Sequence, residues 1–135
     1  MTLAGGCQCG AVRYEVAAEP LRFYVCHCRE CRKQSASAFG ISVIVPAAAF
    51  VLRQGKVATW TRPTASGGVL ECMFCTVCGT RIRHADARED TVSIKGGTLD
   101  EPVDLAAASH IWTSRKLPGV VIPDEALRFA EEPPE

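Results

Sequence analysis

Residues 69–80 read VLECMFCTVCGT, an apolar run from Val69 to Cys75 that ends in Cys75-Thr76-Val77-Cys78-Gly79. Its content makes Val69 to Cys75 a strand, and a Cys-x-x-Cys at the strand end places two thiolates where one metal ion can gather them. The glycine after the second cysteine accepts a positive φ, which lets backbone N–H groups turn toward sulfur. Such a pair is half of a tetrahedral site. Cys7-Gln8-Cys9-Gly10 near the amino terminus ends in the same Cys-Gly and supplies the other half. The expectation is a closed structural zinc at Cys7, Cys9, Cys75 and Cys78, tying the amino terminus to the central strands.

Working outward, short strand-like runs dominate. Val12–Val16 and Leu21–Cys26, with Glu19-Pro20 between them, read as a hairpin, and Gly40–Val45, Ala58–Arg62, Arg81–His84, Thr91–Lys95 and Ala107–Thr113 continue the series. Helical stretches are short: about two turns over Cys28–Ser37, one over Pro46–Phe50, and one over Asp124–Phe129 with Asp124 as its cap. The fold class expected is mainly β. Residues 1–135 read as one zinc-binding domain, since no linker, repeat or low-complexity block divides them, and the acidic, Pro-rich 131–135 reads as a frayed tail.

Composition narrows the function. A chain of 135 residues with 47% hydrophobic and 22% charged residues can bury one core. Fifteen Lys+Arg against fifteen Asp+Glu give no net charge, which removes the electrostatic drive of nucleic-acid binding. The longest apolar stretch, Val43–Leu52, is interrupted by Pro46 and is about half of the roughly 20 residues needed to cross a bilayer. With no cationic-plus-apolar leader at Met1–Gly10, the chain is expected in the cytoplasm, where its eight cysteines stay reduced and bind metal instead of pairing as disulfides.

Cys26-His27-Cys28-Arg29-Glu30-Cys31 differs from the outer pairs in offering three thiolates within six residues. Three protein ligands are what catalytic zinc sites keep, leaving the fourth position open. Zn²⁺ with three thiolates carries a formal negative charge, so it activates water poorly and suits exchange of a soft sulfur ligand. A thiol substrate is the natural fourth ligand. Cys72 keeps an alternative open: as a fourth ligand to the middle group it would close both sites, and the protein would be a zinc-stapled binding module without catalysis. Of the three histidines, His110, beside Ile111-Trp112, is the candidate hydrogen-bond donor or acid near a pocket. Arg29, Arg32 and Lys33 flank the middle group and are candidates for holding a substrate's carboxylates.

Five blocks in order, GGCQCGAVRYEV at 5–16, CHCRECRKQSASAFG at 26–40, FCTVCGT at 74–80, GGTLDEP at 96–102 and SHIW at 109–112, resemble the glutathione-dependent formaldehyde-activating enzyme family, which also includes centromere-protein-V-like proteins. The resemblance implies several small coiled antiparallel β-sheets around two zinc ions, one structural at Cys7, Cys9, Cys75 and Cys78 and one catalytic at Cys26, Cys28 and Cys31. It implies a small-molecule thiol and aldehyde as reactants, with glutathione as co-substrate adding to formaldehyde to give S-hydroxymethylglutathione, a carbon–sulfur lyase reaction in reverse. Arg29, Arg32, Lys33 and His110 would contact glutathione. Three positions depart from the family pattern: Ala36 stands for a glycine, Cys72 for an arginine and Gly119 for a tryptophan.

Overall fold

The computed structural model describes residues 2–134. Its strands are β1 (Leu3–Gly6), β2 (Arg13–Val16), β3 (Arg22–Cys26), β4 (Gly40–Pro46), β5 (Phe50–Gln54), β6 (Val57–Pro63), β7 (Val69–Cys75), β8 (Arg81–Asp86), β9 (Thr91–Lys95) and β10 (Ser109–Ile111), with one helix, α1 (Arg29–Ser35). They form a three-stranded sheet, β1-β2-β5, and a seven-stranded sheet in the order β10-β3-β4-β9-β8-β7-β6. Every pairing is antiparallel except β10 with β3. The fold is mainly β, as expected, with a mixed edge.

The expected hairpin between Val12–Val16 and Leu21–Cys26 does not form. Tyr14 on β2 lies opposite Gly5 on one side and Leu52 on the other, whereas Tyr24 on β3 lies opposite Ser42. The segment through Pro20 carries the chain from one sheet to the other: Ala17 N–H donates to Ala49 and Leu21 N–H to Ile44. The physical reason is that Val12, Tyr14 and Val16 are buried against Val43, Val45, Ile82, Val92 and Ile94, so β2 belongs to a layer packed over the larger sheet and cannot also extend it. The inter-sheet core contains Cys75, which fixes one cysteine knuckle in the most rigid part of the molecule.

β1 and β5 escaped the sequence reading because Leu-Ala-Gly-Gly has no β-branched residue and Phe50 follows an alanine run that reads as helix. Only Ala47–Ala49 makes a single 3-10 turn there. The turn expected over Asp124–Phe129 is a tight bend with Ala126 N–H donating to Pro123, after which Leu127 and Phe129 exchange hydrogen bonds with His110. Glu131, placed by the sequence in a frayed tail, accepts from Trp112 N–H, and the Glu132 carboxylate accepts from the Trp112 indole N–H at 2.7 Å. No helix among the described residues is long and apolar enough to cross a membrane.

Candidate metal centres and the cavities beside them

The knuckle Cys7-Gln8-Cys9-Gly10 follows β1, and Cys75-Thr76-Val77-Cys78-Gly79 closes β7. Gly10 and Gly79 have φ of 83° and 80°, conformations that a Cβ would strain, and their N–H groups turn back to the carbonyls of Cys7 and Cys75. These turns aim further amides at sulfur. Val12 N–H donates to Cys7 Sγ at 3.2 Å, and Val77 and Cys78 N–H donate to Cys75 Sγ at 3.3 and 3.5 Å. The sulfurs of Cys7, Cys9, Cys75 and Cys78 all lie within 4.8 Å of one another. Amides aimed at sulfur favour thiolates over thiols. The Thr80 hydroxyl lies 3.2 Å from Cys78 Sγ, accepts from Gln8 N–H at 3.1 Å and, with the Thr80 backbone, brings the Cys78 thiol down to about 5. Four sulfurs at this spacing are a complete donor set for one tetrahedral metal ion.

The second group is built differently. β3 delivers Cys26, His27 follows, and Cys28 caps α1, its Sγ accepting from Cys31 N–H at 3.3 Å. Cys31 sits one turn into the helix, so cap and first turn converge on Cys26, and the three sulfurs lie within 4.8 Å of one another. Cys26 and Cys31 hydrogen-bond the Cys28 sulfur, which holds its thiol well below the ordinary range. Cys72 belongs to neither group. It is fully buried on β7 opposite Trp60 and His84, with Leu70 O at 4.0 Å from its sulfur, and burial pushes its thiol up.

The parallel pairing of β10 with β3 brings the SHIW block to the CHC block, with His110 beside Val25 and Ile111 beside Cys26. His27 Nε2 lies 2.9 Å from His110 Nδ1, both rings are buried, and Phe39 packs edge-on against His27. His110 therefore braces the back of the three-cysteine group and lines none of the cavities in front of it. Arg29 and Lys33 are exposed on α1 and Arg32 is half-buried with its Nε enclosed, and all three border a depression with Ala36 and Ser37. Of these three, only Lys33 also borders a cavity that reaches Cys31.

That cavity, of about 160 Å³, is closed by Trp60, Arg62, Arg81 and His84 from strands the sequence reading had not linked to the site. Arg81 lies over the Trp60 ring at 5.5 Å and donates to His84 Nε2 at 3.1 Å; burial, with Lys95, Arg81 and Arg62 adding to it, pushes His84 down to about 2, so it accepts as a neutral ring. Arg62 is 3.4 Å from Glu30. A larger concavity, about 770 Å³, touches Cys7, Cys78 and Lys95 and none of Cys26, Cys28 or Cys31. No sequence signal marked Arg62 or Arg81, since an isolated arginine on a strand is normally a solvated one.

A mainly β domain with two cysteine groups, each spaced so that it could hold a metal ion, defines a small domain of a recognisable class. The family model described as "Glutathione-dependent formaldehyde-activating enzyme" matches residues 2–115, and the chain belongs to that family. Its fold is similar to the crystal structure of a Rhodobacter sphaeroides protein, with a TM-score of 0.61 and 22% identity, over 79% of this chain and 98% of that one.

Proposed function

We propose that the chain catalyses addition of a thiol, glutathione on the family reading, to formaldehyde. Cys26, Cys28 and Cys31 would hold a zinc ion with one position open, and Cys7, Cys9, Cys75 and Cys78 a closed structural one. The observation that carries this reading is a three-sulfur group with no fourth donor among the described residues, whose Cys31 side borders a cation-lined cavity. When bound there, zinc would lower the pKa of an incoming thiol and keep its sulfur anionic beside the aldehyde. The reaction then needs little else: the thiolate sulfur attacks the carbonyl carbon, a C–S bond forms, the C=O π pair moves to oxygen, and oxygen takes a proton from solvent.

The chain's own groups bind and orient. Lys33, Arg62 and Arg81 around the cavity outnumber Glu30 and raise the local concentration of an anionic thiol. Trp60 covers one wall and limits water. The Cys31 N–H to Cys28 Sγ bond and the His27–His110 contact hold the ligand loop in place, a positioning role. Arg29 and Arg32 form the outer rim of the same helix and would steer the substrate. The competing reading, a module with two closed sites, requires Cys72 as a ligand; its sulfur standing apart from both groups supports the open site.

The test is the rate of hydroxymethyl-thiol formation over the uncatalysed rate, with zinc-loaded protein. The wild type should accelerate addition and Cys28→Ala should not. Two bound zinc ions with no acceleration would refute the enzyme reading.

A further inference from the structure

The cavity at Cys31 is small for the substrate proposed above, because sites for ligands of tripeptide size usually measure about 300–1,000 Å³, and this one is about 160 Å³. It does not end there. Gln34 and Arg81 line both this cavity and the groove of about 770 Å³, so the two share a wall at those side chains.

The charges along this path are unequal in kind. Arg13 is neutralised by Asp100, its Nη1 donating to Oδ1 at 3.0 Å, and Arg62 is near Glu30 at 3.4 Å. Arg81 forms no ion pair with a carboxylate among the described residues and meets the neutral His84 ring, the Trp60 face and Cys72. Lys95, at the end of β9, is 8% exposed and lines the groove, and its side chain makes no hydrogen bond or ion pair among the described residues. A buried cation without a partner is costly unless an anion completes it. Burial pushes the Lys95 ammonium down.

We propose that the acidic arm of the thiol substrate runs from the Cys31 cavity past Gln34 into this groove, with Arg81 and Lys95 as its carboxylate contacts. The proposal rests on the thiol reading of the site. It moves anion recognition away from the outer face of α1 and onto β8 and β9, and it names the substrate class as a thiol that carries a carboxylate several bonds from sulfur.

S-methylglutathione, whose sulfur is blocked, and its diethyl ester separate carboxylate recognition from metal ligation. Calorimetric titration of zinc-loaded wild type should show the acid binding about 10- to 100-fold tighter than the ester, as expected for charge-assisted contacts. Arg81→Gln and Lys95→Met should each weaken the acid about tenfold and leave the ester unchanged. Arg53→Gln, which lines neither cavity, should keep the full preference. Equal binding of acid and ester to wild type, or a preference that survives Arg81→Gln and falls in Arg29→Gln on the outer face of α1, overturns the proposal. Lys95 is buried, so where Lys95→Met fails to fold, the half-buried Arg81 decides alone. Failure of the thiol–aldehyde reading looks different: the acid preference stays and adduct formation is not accelerated.

Discussion

The two cysteine groups use the same donor atom and differ in what surrounds it. The four-sulfur group joins two glycine turns distant in sequence, and one of its members, Cys75, is packed in the core between the sheets. The three-sulfur group lies within one strand end and one helix cap, so its closure links almost nothing that is not already adjacent. A metal held at the first would therefore be folding energy for the whole domain, whereas one held at the second would order a short loop. A metal site's cost of removal follows the chain it ties together, while its chemistry follows what stands in front of it.

The sharpest way to break this contrast is Cys9→Ser or Cys75→Ser. Either should destabilise the domain by on the order of 5 kcal/mol, because three sulfurs cannot hold the knuckles as four do. Thermal melts in metal-replete and metal-depleted buffer check it; a variant melting like wild type in both would show that the outer cysteines do not staple the fold. Cys28→Ala should cost far less, about 1 kcal/mol for the lost helix cap, and yet abolish thiol-dependent change at the second metal. A large drop in melting temperature for Cys28→Ala would erase the distinction between the groups.

Acid sharpens the comparison from another side. Burial holds His84 down at about 2, against an ordinary value of 6.5. Its folded-state pKa lies below the unfolded one, so below about pH 6.5 the unfolded chain takes up a proton that the folded chain refuses. Stability is full above that pH and falls as pH is lowered through it, by up to about 1.4 kcal/mol per pH unit for this residue. Denaturant unfolding of His84→Gln and wild type at pH 7 and pH 5.5 isolates the effect, since loss of metal in acid is common to both. The variant should lose less stability, by about 1 kcal/mol; parallel losses would show that His84 titrates normally.

Much of this arrangement was legible in the sequence, and the reasons it stopped are specific. Thiolate spacing and the glycines at 10 and 79 are local, so both groups could be located before any fold was known. Strand β9 is rich in β-branched residues and β7 is an apolar run broken only by Glu71, and both were bounded as found. The partnering of β2 was not legible, because pairing depends on which sheet buries Val12, Tyr14 and Val16, a choice made by the whole core. Arg62, Arg81 and Lys95 were missed for the same cause: they reach the site through register across β6, β8 and β9. His110 was singled out, but the parallel β10–β3 pairing turned it behind the metal group.

Two departures from the family pattern give smaller tests. Cys72→Ser should cost about 1 kcal/mol, the loss of a small apolar contact, and leave two zinc ions per chain with glutathione binding intact. Glutathione binding that appears only in the variant would make Cys72 a ligand and both sites closed. Ala36 caps α1 with φ of 50°, a left-handed conformation in which the family pattern has glycine. Ala36→Gly should therefore stabilise by about 0.5 kcal/mol, net of the extra freedom glycine has when unfolded. Chemical denaturation reads this, and a destabilised variant would show that the helix end does not hold that geometry in solution.

The central claim, one closed group and one open, is most directly tested by replacing zinc with cobalt and following the thiolate-to-cobalt absorption while glutathione is added. Seven cysteine ligands should show as one four-sulfur and one three-sulfur centre, with glutathione changing only the second and Cys28→Ala removing that change. Two four-sulfur spectra that glutathione leaves untouched would contradict the account.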